Sequence, residues 1–173
     1  MNYKIYTGLL ANEDEMSSKA KASFEGGYQT VVLPAGYVLW RFISSINAYR
    51  FSDFWVDAPA MANIMNGLHM TGNFSEAYKI NNVRDSLAIP DNWENRLRWR
   101  LKIRLNKEVI AYVGRTGPQK YFVEVENTIA GGAANMDKAV EHRIGGFGQY
   151  VIPRFRGLPN ENDWAQLEHF AHI

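Results

Sequence analysis

The run Arg96-Leu97-Arg98-Trp99-Arg100-Leu101-Lys102-Ile103-Arg104-Leu105 alternates a cation with an apolar residue at every step. A period of two is the signature of a β-strand with one buried and one wetted face. Toward the C-terminus, residues 109–113 read as a second strand ending at Gly114, and residues 121–125 as a third. A Gly- and Ala-rich stretch (residues 130–135) precedes a predicted short helical piece. Gly145-Gly146-Phe147-Gly148 forms a loop before a strand over residues 149–152, and residues 162–172 are expected to form a short helix. Toward the N-terminus the pattern changes. Asp57 and Pro59 open a Met- and Ala-rich helix ending near Gly67, and a second helix runs from Asn73 or Ser75 to about Leu87. Before these lies a strand over residues 37–42, followed by a loop at residues 44–50 that leads into the segment 51–56. A leading helix spans residues 12–25, capped by Asn12 and stopped by Gly26-Gly27. Helices in the first half and strands mainly in the second point to an α+β fold. Residues 1–30 read as a polar helical leader and residues 31–173 as a single catalytic-type domain.

Length and composition fit this reading. A chain of 173 residues buries a core of its own. With 19 Lys and Arg against 18 Asp and Glu, the net charge of +1 makes no global case for a nucleic-acid partner, so any basic character is local. There is no cysteine, which excludes thiol catalysis, thiolate zinc sites and disulfides. The apolar runs are too short to cross a bilayer as a helix, and the first residues carry no apolar core of a Sec signal.

Two segments carry the candidate chemistry. In the first, Leu39-Trp40-Arg41-Phe42 is followed by Tyr49-Arg50-Phe51-Ser52-Asp53-Phe54-Trp55. A guanidinium on a strand offers a planar fork of donors to pyrophosphate oxygens, and the aromatic rings offer a wall for a cationic nicotinamide. Taken alone, the same residues also suit an edge strand with an exposed Arg and core aromatics. In the second, Gly145-Gly146-Phe147-Gly148-Gln149-Tyr150, glycines let the backbone pass close to a ligand and a polar side chain opens the following strand. A glycine-rich hairpin connection is the plainer alternative. Neither GxGxxG nor GxxxxGK[ST] occurs. Glu124-Val125-Glu126 would place two carboxylates on one strand face, as a catalytic pair or as a solvated face. The basic face of residues 96–104 allows a nucleic-acid-binding or ribonuclease module, the latter with His69, His142, His169 or His172 as acid–base groups, or else a face paired with acids. No metal-ligand spacing such as HExxH occurs.

Arg41-Phe42, Tyr49-Arg50-Phe51-Ser52 and Gly145-Gly146-Phe147-Gly148-Gln149-Tyr150, in that order, resemble the tuberculosis necrotizing toxin family. These are NAD⁺ glycohydrolase domains at the ends of bacterial polymorphic toxins. Tyr112-Val113-Gly114-Arg115-Thr116-Gly117-Pro118-Gln119 is similar to the family's strand ending in glycine before its glycine loop. The chain departs from the family in a longer, more helical stretch between Trp55 and Arg96 and in lacking its Arg-Leu-Pro segment. The resemblance implies an ADP-ribosyltransferase-like split β-sheet core and NAD⁺ as substrate rather than cofactor. It places Arg41 on the NAD⁺ phosphates, Tyr49, Phe51 and Trp55 at the nicotinamide and ribose walls, and Ser52 near the amide. Gln149 takes the position where transferases of this fold carry Glu. It further implies a cognate immunity protein as partner and a delivered effector acting in a target-cell cytoplasm, with no membrane partner. The alternative on the same fold is a protein mono-ADP-ribosyltransferase.

Overall fold

The alternating run forms β6 (Trp99–Leu105), and its faces part as the pattern predicts: Leu101, Ile103 and Leu105 are buried and Arg104 is exposed. The structure, a computed structural model, describes residues 4–6, 9–11, 16–45, 53–70, 75–89, 97–128, 134–143, 145–153, 155 and 161–173. β6 lies between β4 (Val38–Ile43) and β11 (Ala165–His172) in an antiparallel sheet. A second antiparallel sheet has the order β3 (Phe24–Leu33), β7 (Val109–Thr116), β10 (Gly148–Val151), β5 (Phe54–Trp55). The sheets meet at an isolated bridge, where Trp40 and Val56 exchange two N–H···O bonds of 2.8 Å. Two ribbons complete the strands: β1 (Lys4–Tyr6) with β2 (Leu9–Ala11), and β8 (Gln119–Thr128) with β9 (Ala134–Arg143). The helices are α1 (Ser18–Ala22), α2 (Ala58–Met70), α3 (Glu76–Leu87) and the single turn α4 (Glu161–Trp164). The fold is α+β, with its helices concentrated in the first half of the chain. No helix among the described residues is long and apolar enough to cross a membrane.

Three apolar clusters hold this arrangement. The largest draws Leu33, Val109 and Ala111 from one sheet and Leu39, Leu101, Ile103 and Leu105 from the other, around Trp55 and Phe155. The second packs Ala60, Met61, Ile64, Leu68 and Val83 of α2 and α3 on Phe42, Val56 and Leu97. The third sets Met16, Ala20 and Phe24 on Tyr112 and Val151. Side chains alternate across a strand, so Leu39 and Ile43 enter the first cluster while Phe42 between them enters the second. Helix starts follow the sequence signals. Asp57 Oδ1 accepts from Ala60 N–H at 2.9 Å, with Pro59 in the first turn of α2, and the Ser75 hydroxyl caps α3 through Tyr78 N–H at 3.4 Å.

Several elements differ from expectation, each because long-range pairing outweighs local propensity. The leading helix is short and capped by Ser17 rather than Asn12, which lies outside the described residues. Gly26 and Gly27 do not stop a helix; they form a bulge inside β3, at φ of 73° and 94°, where the register to β7 shifts between Glu25 and Gln29. The division at residue 30 therefore falls inside β3, and Met16, Ala20 and Phe24 belong to the core. The segment after residue 135, expected to be helical, is β9, paired with β8 over its whole length. The tail forms one helical turn and then β11, whose ladder to β6 overrides the helix preference of its Leu, Glu and Ala residues. His169 and His172 thus sit in an ordered strand, edge-on to Trp40 and Trp99.

Candidate functional site

Gln149, the second residue of β10, lies directly opposite Gly114 of β7 and is 8% exposed. Its Nε2 donates to Ser23 Oγ at 3.0 Å, and the Ser23 hydroxyl donates onward to Ala20 O at 2.7 Å. Because the serine proton is already committed, Ser23 can only accept from Gln149. That fixes which end of the amide faces it and leaves the carbonyl oxygen on the other side.

Gly114 is a glycine for want of space: a Cβ there would stand 2.6 Å from the Phe24 ring and 2.7 Å from Gly27 O. The β3 bulge passes over this point and opens a groove of about 600 Å³, walled by residues 25–29 of β3, 113–115 of β7 and Gly148. Glu25 and Arg115 pair across its walls in the strand register, and both are exposed. Arg115 Nε donates to Gly146 O at 3.2 Å, which lays the guanidinium along the glycine loop. The half-buried Tyr28 ring is braced by Phe24 at 5.3 Å and edge-on by Tyr112 at 5.6 Å. A cation and an aromatic ring line this open, glycine-walled groove, and the buried Gln149 amide follows its lining residue Gly148 without lining it. The volume falls within the range of about 300–1,000 Å³ common for ligand sites.

The sequence places Arg41 in this site, and the structure places it elsewhere. Tyr150 pairs with Trp55, and extending the Trp40–Val56 bridge by one residue sets Arg41 opposite Trp55. Tyr150, Trp55 and Arg41 therefore share one row and one face, and the Arg41 guanidinium carbon lies 5.6 Å from the Trp55 ring centroid. Gln149 falls in the next row, with Val56 and Trp40, and so leaves the opposite face. Two strand spacings, about 10 Å, also separate their backbones. Arg41 is brought to Trp55 rather than to Gln149, and Trp55 itself is 1% exposed in the core. Tyr49, Phe51 and Ser52 lie outside the described residues. Glu124 and Glu126 sit on the β8–β9 ribbon, opposite Lys138 and Met136, and not on the strands that carry Gln149 or Arg41.

Three cations of the basic run are paired with acids, while the buried Arg100 Nε has no hydrogen-bond partner among the described residues. Arg98 meets Glu76 at 2.8 Å, Lys102 meets Glu168 at 2.6 Å, and Arg104 also binds Glu168. Arg104 first, then Lys102, holds the Glu168 carboxyl below the usual range. Lys102 additionally lies 5.7 Å from the Trp40 ring centroid. Arg96 lies outside the described residues. Among the described residues no cluster of His, Asp and Glu is arranged to hold a metal ion.

On the face opposite Gln149, Tyr150 joins a polar cluster. Its hydroxyl donates to Asp57 Oδ2 at 3.2 Å and lies 3.0 Å from the Tyr37 hydroxyl, which must then be the donor in that pair. Burial pushes the Tyr150 hydroxyl well above the usual range, with the bond to Tyr37 and the Asp57 carboxylate adding to the shift. An unfolded tyrosine releases its proton near pH ~10, while folded Tyr150 keeps it. Above that pH the unfolded chain binds fewer protons, so this group's contribution to stability falls as pH rises. The urea midpoint is expected to drop between about pH 10 and 12 and to drop less in Tyr150→Phe. Equal slopes for the two proteins would remove Tyr150 as the cause.

Two antiparallel sheets joined at a bridge, with helices gathered in the first half, define a split-sheet α+β domain. In fold the chain is similar to Tne2, solved in complex with Tni2, at 16% identity and a TM-score of 0.51, over 87% of this chain and 96% of that one. Rhs1-CT, solved in complex with its cognate immunity protein RhsI1, matches 87% of this chain and 84% of its own at 13% identity, with a TM-score of 0.49. No protein-family model and no curated protein matches the chain.

The residues that sequence reasoning missed are Ser23, Tyr28, Arg115 and Thr116. Arg115 and Thr116 had a signal in the glycine-flanked strand end Gly114-Arg115-Thr116-Gly117, which only the register brings beside the glycine loop, whereas Ser23 and Tyr28 had none.

Proposed function

We propose that this chain is a toxin-type domain that hydrolyses NAD⁺ in the groove over Gly114. Supporting this are the ordered motifs of the sequence and the fold similarity to Tne2. The observation that carries the proposal is the buried Gln149 amide, held in one orientation by Ser23 beside a glycine-walled groove of about 600 Å³. Arg115 takes the role first given to Arg41 and meets the pyrophosphate with charge-assisted hydrogen bonds. Tyr28 supplies an aromatic face for the cationic nicotinamide. Gln149 presents its carbonyl oxygen to a ribose hydroxyl.

The chemistry asks little of these groups. The bond from C1′ of the ribose to the nicotinamide nitrogen breaks, and the nitrogen keeps the electron pair, so the cationic ring leaves neutral. Water adds to C1′ and gives its proton to solvent. Positioning and stabilisation of the oxocarbenium-like state supply the acceleration. A neutral amide cannot take a proton from an acceptor nucleophile, which favours hydrolysis over transfer to a protein. By the family resemblance of its ordered motifs, this chain is a delivered effector with a cognate immunity protein as its partner.

The test is to incubate the purified protein with NAD⁺. Free nicotinamide with ADP-ribose supports the proposal, label carried onto protein replaces it with transfer, and intact NAD⁺ overturns it. Arg115→Ala is expected to raise KM about tenfold, equivalent to ~1.4 kcal/mol, the scale of one charge-assisted hydrogen bond. Unchanged KM would remove Arg115 from the phosphate role.

A further inference from the structure

We propose that Thr116 is the positioning residue of this site, its hydroxyl fixing the glycine loop that aims both Gln149 and Arg115. The proposal rests on the NAD⁺-cleaving reading for its catalytic consequence, though its geometry stands apart from that reading. Thr116 ends β7 and is 1% exposed, an unusual setting for a polar side chain. Its Oγ1 accepts from Gly146 N–H at 2.8 Å and from Phe147 N–H at 3.2 Å. Its single proton has two carbonyls in reach, Phe147 O at 3.2 Å and Ser86 O at 3.4 Å. One hydroxyl thus reaches both the glycine loop and the C-terminal end of α3, beside backbone bonds from Gly146 N–H to Thr116 O at 2.6 Å and from Thr116 N–H to Phe147 O at 2.9 Å. The loop is also tied to α3 by Gly145 N–H donating to Asp85 O at 2.7 Å.

The loop has no slack around this hydroxyl. Gly145 and Gly146 are both at positive φ, 70° and 100°, and a Cβ on Gly145 would stand 2.5 Å from Thr116 O. Gly148 and Gln149 follow immediately, so the angle at which the loop leaves Thr116 is the angle at which Gln149 enters β10. Gly146 O is also the acceptor for Arg115 Nε. A shift of the loop therefore moves the amide and the guanidinium together, although Thr116 does not line the groove. Valine has nearly the shape of threonine but no acceptor, whereas serine keeps the oxygen and loses only a methyl group.

The experiment compares wild type, Thr116→Val and Thr116→Ser for NAD⁺ cleavage per folded molecule and, by NMR, for amide exchange at Gly146 and Phe147 and the Gln149 side-chain amide resonances. Thr116→Val is expected to lower kcat about 10- to 100-fold, the scale of an ångström-level misplacement of catalytic groups. It should also speed exchange at Phe147, while Gly146 N–H keeps its bond to Thr116 O, and shift the Gln149 resonances, with Thr116→Ser returning both toward wild type. A purely structural threonine would lower the unfolding midpoint in Thr116→Val and leave kcat of the folded fraction and the Gln149 resonances unchanged, which would overturn the proposal. Should Thr116→Val not fold, Thr116→Ala carries the same comparison. Should wild type not cleave NAD⁺, the functional reading fails by itself, and the positioning role is decided by the NMR arm, where unchanged Phe147 exchange and unchanged Gln149 resonances overturn it.

Discussion

Gln149→Ala is expected to lower NAD⁺ turnover about 100-fold, the scale seen when one preorganised hydrogen-bonding group is removed from a reacting centre. The substitution deletes the group proposed to meet the ribose but leaves β10 paired to β7 and β5 through its backbone. Losing the bond to Ser23 costs about 1 kcal/mol, which for a chain of this size lowers the thermal midpoint by roughly 2–4 °C. Activity and stability should therefore separate: a folded protein with little turnover. Ser23→Ala asks a finer question. It keeps the amide but frees its orientation, so a smaller loss of kcat is expected than in Gln149→Ala. Steady-state release of nicotinamide measures both. Wild-type turnover in Gln149→Ala would remove this residue from the mechanism.

Gly145→Ala is expected to destabilise the fold by about 3 kcal/mol or more, because two penalties fall on one residue. Its φ of 70° is strained for any L-residue, and the added methyl would meet Thr116 O at 2.5 Å and Gly117 O at 2.9 Å, both backbone atoms. Gly26→Ala is the internal control. Its φ is nearly the same, 73°, but nothing lies within 4 Å of the added methyl, so only the conformational strain of about 1–2 kcal/mol remains. Urea unfolding of both variants measures the difference. Equal losses would show that the packing of the glycine loop on β7 contributes nothing beyond its backbone angle.

The contrast between these glycines also shows what the chain discloses about itself. β6 was legible because alternation writes burial directly into the residue order, and α2 and α3 because Asp57 and Ser75 mark their starts. The Gly26-Gly27 pair looks like a helix stop, yet it is a bulge, since its role depends on β7 pairing with β3 from more than eighty residues away. β9 and β11 were hidden for the same reason. Their Ala, Leu and Glu content favours a helix locally, and only the partners β8 and β6 make them strands. In the site, Gln149 stood out behind its glycines. The distance in sequence between Arg41 and Gln149 carried no information about faces. A single residue of register through Tyr150, Trp55 and the Trp40–Val56 bridge separates them. Arg115, the cation that does reach the groove, lies in a segment whose glycines were visible but whose neighbours were not.

The central claim is that the nucleotide occupies the Gln149 face and not the Arg41 face. Titrating the isotopically labelled protein with ADP-ribose, the product that is not consumed, and following backbone and side-chain amide shifts tests it most directly. Shifts concentrated at Gly26, Gly27, Arg115, Gly148 and Gln149 are the expected result. Shifts concentrated at Arg41 and the Trp55 indole, with the glycine loop unmoved, would contradict it.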